Sequence, residues 1–180
     1  MFLINALNKC NADMHQANSL PFDQQVCRSV KENVVATVTS FDAIPFNRHR
    51  TMWHHDQYTK PIIERELRKC MVAMRAPFDH CQREFVTGNW GCGCFCGDME
   101  LKFMIQWISS SISPSIAKVI FCPFDRRDLM EKKRFFDLVH RYAGKASVNS
   151  VLRALTEDPG YMEASTTIEY LLSNNFDHHK

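Results

Sequence analysis

The stretch from Gly88 to Asp98, Gly-Asn-Trp-Gly-Cys-Gly-Cys-Phe-Cys-Gly-Asp, holds four of the chain's six glycines. It follows a short β-favouring run, Glu84-Phe85-Val86-Thr87, and precedes apolar positions Leu101, Met104, Ile105, Ile108 and Ile112, which recur at helical spacing. A strand that enters a helix through several glycines leaves its backbone N–H groups uncovered by side chains. The helix N-terminus adds positive dipole, so the unit suits a phosphate or diphosphate. The ligand implied is a nucleotide-like anion, weighed against a purely structural turn. Asp98 is the natural N-cap of the helix and engages its first donors, so contacts must come from Gly91 to Phe95. The spacing is neither Gly-x-Gly-x-x-Gly nor Gly-x4-Gly-Lys-Ser/Thr, which excludes the dinucleotide and Walker fingerprints.

With 180 residues, 45% of them hydrophobic and 23% charged, the chain suits one packed α/β or α+β domain and is too apolar for disorder. A formal charge of +2 is far from the field of a dedicated nucleic-acid reader, so an anion must be gripped locally. Eight Cys fall below the density of a disulfide scaffold, and no secretory leader pattern opens the chain, which points to a reducing compartment. No apolar run reaches the ~18 residues of a membrane span; Phe103 to Cys122 is broken by serines, Pro114 and Lys118.

Residues 1–33 carry only short apolar clusters and are read as a poorly defined segment with a short helix at best. Val34 to Val38 is a β-branched run suited to a strand buried on both faces. From Lys60 to Met74, Ile63, Leu67, Cys70, Met71 and Met74 mark an amphipathic helix with Thr59 as N-cap. After the central helix, Lys118 to Phe124 reads as a strand. Asp125 opens a helix to Tyr142 with Gly144 beyond its end, and Ser147 caps a final helix through Thr156. The alternation of strand and helix predicts a mixed, mostly parallel sheet flanked by helices.

Cys92, Cys94 and Cys96 lack the paired Cys-x2-Cys spacing of a zinc knuckle, so thiols without metal are favoured over a metal site. His54-His55-Asp56 is read as a solvated turn rather than ligands or a base, and Asp177 to Lys180 as a frayed end.

The residues Phe85-Val86-Thr87-Gly88-Asn89-Trp90-Gly91-Cys92-Gly93-Cys94-Phe95-Cys96-Gly97-Asp98, followed by Leu101-Lys102 and Ile105-Gln106-Trp107, closely resemble the signature Thr-Gly-Asn-Trp-Gly-Cys-Gly-x-Phe-Gly-Gly-Asp of the poly(ADP-ribose) glycohydrolases. The resemblance takes in Phe41-Asp42-Ala43-Ile44, Arg65 to Lys69 and Phe121 to Asp125, and it spans roughly Val34 to Thr156. It implies the C-terminal part of a catalytic domain over residues 34–157, a partial macrodomain-like α/β fold, and a tail over 158–180. It further implies that Asn89 and the backbone of Gly91, Cys92, Gly93 and Cys94 face the diphosphate and adjoining ribose of an ADP-ribose unit, with Phe95 beside them and Phe124 stacking on adenine. Cys96 departs from the family by replacing the first glycine of its Gly-Gly-Asp element, and Pro123-Phe124-Asp125 lacks the glycine that follows the aromatic.

Glycosidic cleavage through an oxocarbenium-like transition state needs a carboxylic acid to protonate the leaving oxygen and a carboxylate to hold water. The family uses tandem glutamates beside a Gly-Gly-Gly element, and these 180 residues contain neither Glu-Glu nor Gly-Gly-Gly. The resemblance therefore implies a truncated or inactive glycohydrolase acting on poly(ADP-ribose), or else a non-catalytic ADP-ribose-binding or partner-docking module; a small zinc domain is the third reading. No cofactor, catalytic residue or metal ligand is assigned. The expected partners are poly(ADP-ribose) or ADP-ribose, with no nucleic acid and no membrane, and another chain covering an exposed sheet edge. By the same resemblance the expected location is nucleus and cytoplasm.

Overall fold

The computed structural model of the protein describes residues 2–4, 26–31, 34–46, 52–75, 83–122, 134–158, 161 and 166–173. Its elements in chain order are β1 (Phe2–Ile4), β2 (Val26–Lys31), β3 (Val34–Thr39), a 3-10 helix (His54–Tyr58), α1 (Lys60–Met74), β4 (Arg83–Gly88), α2 (Met99–Ile112), β5 (Ile116–Cys122), α3 (Arg134–Tyr142), α4 (Val148–Glu157) and α5 (Thr167–Ser173).

The central sheet is mixed, with order β1-β5-β4. β4 and β5 run parallel, pairing Phe85 with Val119 and Gly88 with Cys122, and α2 forms the connection between them. β1 adds to the other side of β5 antiparallel, from Phe2 opposite Phe121 to Ile4 opposite Val119. β3 does not join this sheet; it pairs antiparallel with β2, from Val26 opposite Thr39 to Lys31 opposite Val34.

Two readings of the N-terminal region are corrected here. Residues 1–33 contribute two strands and no described helix. A three-residue strand has no periodicity of its own to reveal it, and its pairing comes from β5, more than a hundred positions away. The strand at Val34–Thr39 forms where expected, but it is not covered on both faces, since Val38 is 55% exposed. β-branching sets a preference for extended backbone and says nothing about which face is covered.

α2 is the centre of the molecule. Every residue from Leu101 to Ser111 is buried, because the helix packs on α1, α4, α5 and β5 together. Asp98 caps it, its Oδ1 accepting from the amide of Leu101 at 2.7 Å. α1 occupies the predicted span, although the Thr59 hydroxyl donates to the Asp56 carbonyl instead of capping the helix. Burying the apolar stripe Ile63, Leu67, Cys70 and Met74 against α2 contributes about 1.5–3 kcal/mol for each large side chain.

At the C-terminal side, α3 ends at Tyr142, and Gly144 just beyond it has a φ of +71°, in the left-handed region that terminates helices. Ser147 caps α4 by accepting from the Ser150 amide at 3.0 Å. The expected final helix is then followed by another, α5, in the stretch read as a tail. Seven residues do not hold a helix by propensity alone. Here the Ile168 amide in the first turn donates to Glu100 Oε2 at 2.9 Å. In the last turn the carbonyls of Leu171 and Leu172 accept from the Tyr142 hydroxyl at 2.6 Å and from Arg141 at 2.7 Å. Partners on α2 and α3 thus engage orphan groups of both ends, beside a local N-cap in which the Thr166 hydroxyl accepts from the Glu169 amide at 3.1 Å. Ile168, Tyr170 and Leu171 are buried in the same core as α2. Among the described residues no helix is long and apolar enough to cross a membrane.

Candidate functional site

The loop Asn89–Asp98 is built from consecutive tight turns. The amides of Trp90, Cys92 and Cys96 donate to the carbonyls of Gly88, Asn89 and Gly93, at 2.8, 3.0 and 3.0 Å. The Gly97 amide donates to the Gly91 carbonyl at 2.9 Å and closes the loop upon itself. Two glycines are required by close approach. Gly91 has φ +75°, and a Cβ there would lie 2.7 Å from that of Ala43; at Gly97 it would lie 2.8 Å from the Gly91 oxygen. Cys96, where the resembling family has glycine, sits at φ +55°, so an L-residue occupies a left-handed position.

Other loop amides are not used within the loop. Those of Gly91, Gly93 and Phe95 donate to no other described residue, while Gly93 and Cys94 are exposed at the tip. Asn89, at the base of the loop, carries a side-chain oxygen that is buried and has no hydrogen-bond partner among the described residues. The helix end itself is taken. Asp98 accepts from Leu101 and from the Tyr58 hydroxyl, and its own amide donates to Gln57 Oε1. Burial together with that carboxylate raises the Tyr58 hydroxyl far above its usual range. The expectation that Asp98 is committed as a cap matches this geometry, whereas the Cys92 amide, expected to face a ligand, donates to the Asn89 carbonyl within the loop.

The loop is fastened on three sides. Phe95 accepts from the Phe46 amide at 2.8 Å through its carbonyl. Trp90 donates from Nε1 to the Phe41 carbonyl at 3.3 Å. Gln106 Nε2 donates to the Gly88 carbonyl at 3.1 Å, and the Gln106 Oε1 accepts from the Thr87 hydroxyl. Beneath it lies a charge network absent from the sequence reading of the site. Lys102 of α2 and Glu66 of α1, each 1% exposed, form an ion pair. The ammonium lies 4.2 Å from the centre of the Trp90 ring. Glu66 also accepts from Arg65 and from the Ile44 amide, and Arg65 and Lys69 both reach Asp42, at 2.8 and 2.6 Å. The hydrogen bond from Lys69 leads the effects that hold the Asp42 carboxyl at about 2, below its ordinary 3.8. A sequence signal for Lys102 existed: it and Gln106, four apart, are the two polar side chains within the run Leu101 to Ile108.

Other candidates fall elsewhere. Cys92 is buried against the Trp90 carbonyl, and Cys94 and Cys96 are exposed. Among the described residues no three Cys, His, Asp or Glu side chains converge as metal ligands. His54, His55 and Asp56 form the 3-10 helix, where Asp56 Oδ2 accepts from the Trp53 amide at 2.7 Å and His54 and His55 face solvent. Glu64 and Glu66 diverge, since Glu66 is buried and Glu64 stays partly exposed. Phe124, the expected adenine-stacking residue, lies outside the described residues.

Comparison with known proteins accords with the loop. A model of poly(ADP-ribose) glycohydrolase, macro domain fold, matches residues 4–131. Poly(ADP-ribose) glycohydrolase 1 of Caenorhabditis elegans is 33% identical over 94 residues, 52% of this chain and 12% of that protein. Poly(ADP-ribose) glycohydrolase 2 of the same organism is 36% identical over 78 residues, 43% and 16% of the two chains. The probable poly(ADP-ribose) glycohydrolase 2 of Arabidopsis thaliana is 44% identical over 54 residues, 29% and 9%. The chain thus matches less than a fifth of the length of these relatives. It belongs to the poly(ADP-ribose) glycohydrolase family, as a C-terminal catalytic region with the macro domain fold.

Proposed function

We propose that residues 34–157 bind an ADP-ribose unit of poly(ADP-ribose) through the loop Asn89–Phe95, and that these 180 residues do not by themselves hydrolyse the polymer. The observation that carries the reading is the set of amides at Gly91, Gly93 and Phe95 that donate to no other described residue, on a loop whose turns are otherwise closed. Diphosphate oxygens accept from such amides, while the Cys92 amide, committed to the Asn89 carbonyl, holds the turn that presents them. The buried Asn89 oxygen accepts from a ribose hydroxyl, and Phe124 stacks on the adenine.

The carboxylates around the loop support the second half of the proposal. Asp98 is engaged by Leu101, Glu100 by Ile168, and Glu66 by Lys102 and Arg65. None is left to act as the acid and water-holding pair that a glycosidase needs. Calorimetric titration with ADP-ribose is expected to give saturable, one-to-one heat. Incubation with purified polymer is expected to release no ADP-ribose. A titration without heat removes the binding reading, and release of ADP-ribose removes the non-hydrolytic one.

A further inference from the structure

A buried ion pair is an expensive way to join two helices, since apolar side chains of similar size commonly serve stability as well or better. Lys102 and Glu66 nevertheless sit at the contact of α1 with α2, both 1% exposed. The pair is also oriented. Its carboxylate end meets the segment before the 3-10 helix, accepting from the Ile44 amide at 3.3 Å and from Arg65. Its ammonium end meets the loop, under the Trp90 ring at 4.2 Å. A Cβ on Gly91 would stand 3.4 Å from Nζ, and one on Gly97 3.0 Å from Cε. The two glycines are therefore the places where the loop backbone lies directly upon the lysine. Arg65 shares the charge of Glu66 from the far side, so the ammonium is only partly offset by its partner.

We propose that Lys102 and Glu66 are a positioning pair for the anion site: the pair seats both ends of the Gly91–Gly97 turn on α2 and holds a positive charge directly beneath the amides offered to the diphosphate. This deepens the function proposed above and rests on it. Away from water, a cation one loop-thickness below a diphosphate acts with little screening, and it is in place before the ligand arrives. Lys102 touches no ligand in this role; it acts through Trp90, Gly91 and Gly97.

The test is the double variant Lys102→Met with Glu66→Gln. It removes both charges together, nearly preserves volume, and keeps an acceptor for the Ile44 amide. The expected result is a melting temperature within a few degrees of the unmodified chain and an ADP-ribose affinity about tenfold weaker at low and at high salt alike, because the charges removed are buried and little screened. A folded double variant that binds ADP-ribose as tightly as the unmodified chain overturns the proposal. If the double variant does not fold, the side-chain ammonium resonance of Lys102 in the 15N-lysine-labelled unmodified chain decides instead. It is expected to shift on addition of ADP-ribose, and a resonance unmoved at saturation overturns the positioning role. Failure of the unmodified chain to bind ADP-ribose at all is a different result, which ends the functional reading itself.

Discussion

The indole of Trp90 stacks 4.6 Å from the ring of Phe41 and donates its N–H to the Phe41 carbonyl, tying the glycine-rich loop to the segment that follows β3. The same indole covers the Lys102 ammonium on its other contact. Trp90→Phe keeps an aromatic ring and loses the hydrogen bond, for an expected cost of about 0.5–1.5 kcal/mol. Trp90→Ala also removes the cation–π contact and the stack, and is expected to cost about 3–5 kcal/mol. Urea denaturation of the two variants checks the order; equal losses would mean that the ring contributes nothing beyond its N–H.

Cys96 occupies a left-handed position at φ +55° where an L-residue carries roughly 1–2 kcal/mol of strain. Cys96→Gly relieves that strain and adds backbone entropy to the unfolded chain, so the expected net gain is about 0.5–1 kcal/mol. Gly91→Ala is expected to do the opposite, losing about 1–3 kcal/mol, because φ is +75° and the new methyl would meet Ala43 at 2.7 Å. Denaturant midpoints moving in opposite directions would bear this out. A Cys96→Gly variant less stable than the parent would show that its thiol packing outweighs the strain.

The contrast between those two positions indicates how much could be read from sequence. The strand-loop-helix unit was legible because four glycines, a capping Asp98 and the apolar period of α2 all lie within one local stretch. The family resemblance sharpened it to named residues, and the departure at Cys96 marks the one non-glycine residue of positive φ among the described residues. What escaped depends on distant partners. β1 is defined by β5, and the Glu66–Lys102 pair joins residues 36 positions apart. Gln57 is buried, and its Oε1 accepts from the amide of Asp98, 41 positions later. α5 escaped partly for the same reason, since Glu100, Arg141 and Tyr142 engage its ends beside its own Thr166 cap.

That dependence makes α5 a test of how the C-terminal part holds the core. Leu171 is fully buried with Ile168 and Tyr170 against the central cluster. Leu171→Ala is expected to cost about 2–5 kcal/mol, the range for a leucine removed from a packed interior. Amide exchange should quicken first in Thr167–Ser173. A loss below about 0.5 kcal/mol would mark α5 as a loosely attached element instead.

Asp42 gives the site a defined acid limit. Lys69 chiefly, with Arg65, holds its carboxyl at about 2 against some opposition from burial, whereas the unfolded chain's value is near 3.8. Between those values the unfolded state binds more protons than the folded one. The stabilisation is therefore complete above about pH 4 and is lost as pH falls through about 2. Because more than half of the Asp42 side chain is exposed, solvent screening limits the contribution to below about 1 kcal/mol, smaller still at high salt. Asp42→Asn is expected to be slightly less stable than the unmodified chain at pH 7, with the gap closing as the pH approaches 2. Thermal melts of both chains across that range check the sign; a gap that widens on acidification would mean that the Arg65 and Lys69 contacts do not stabilise the charged carboxylate.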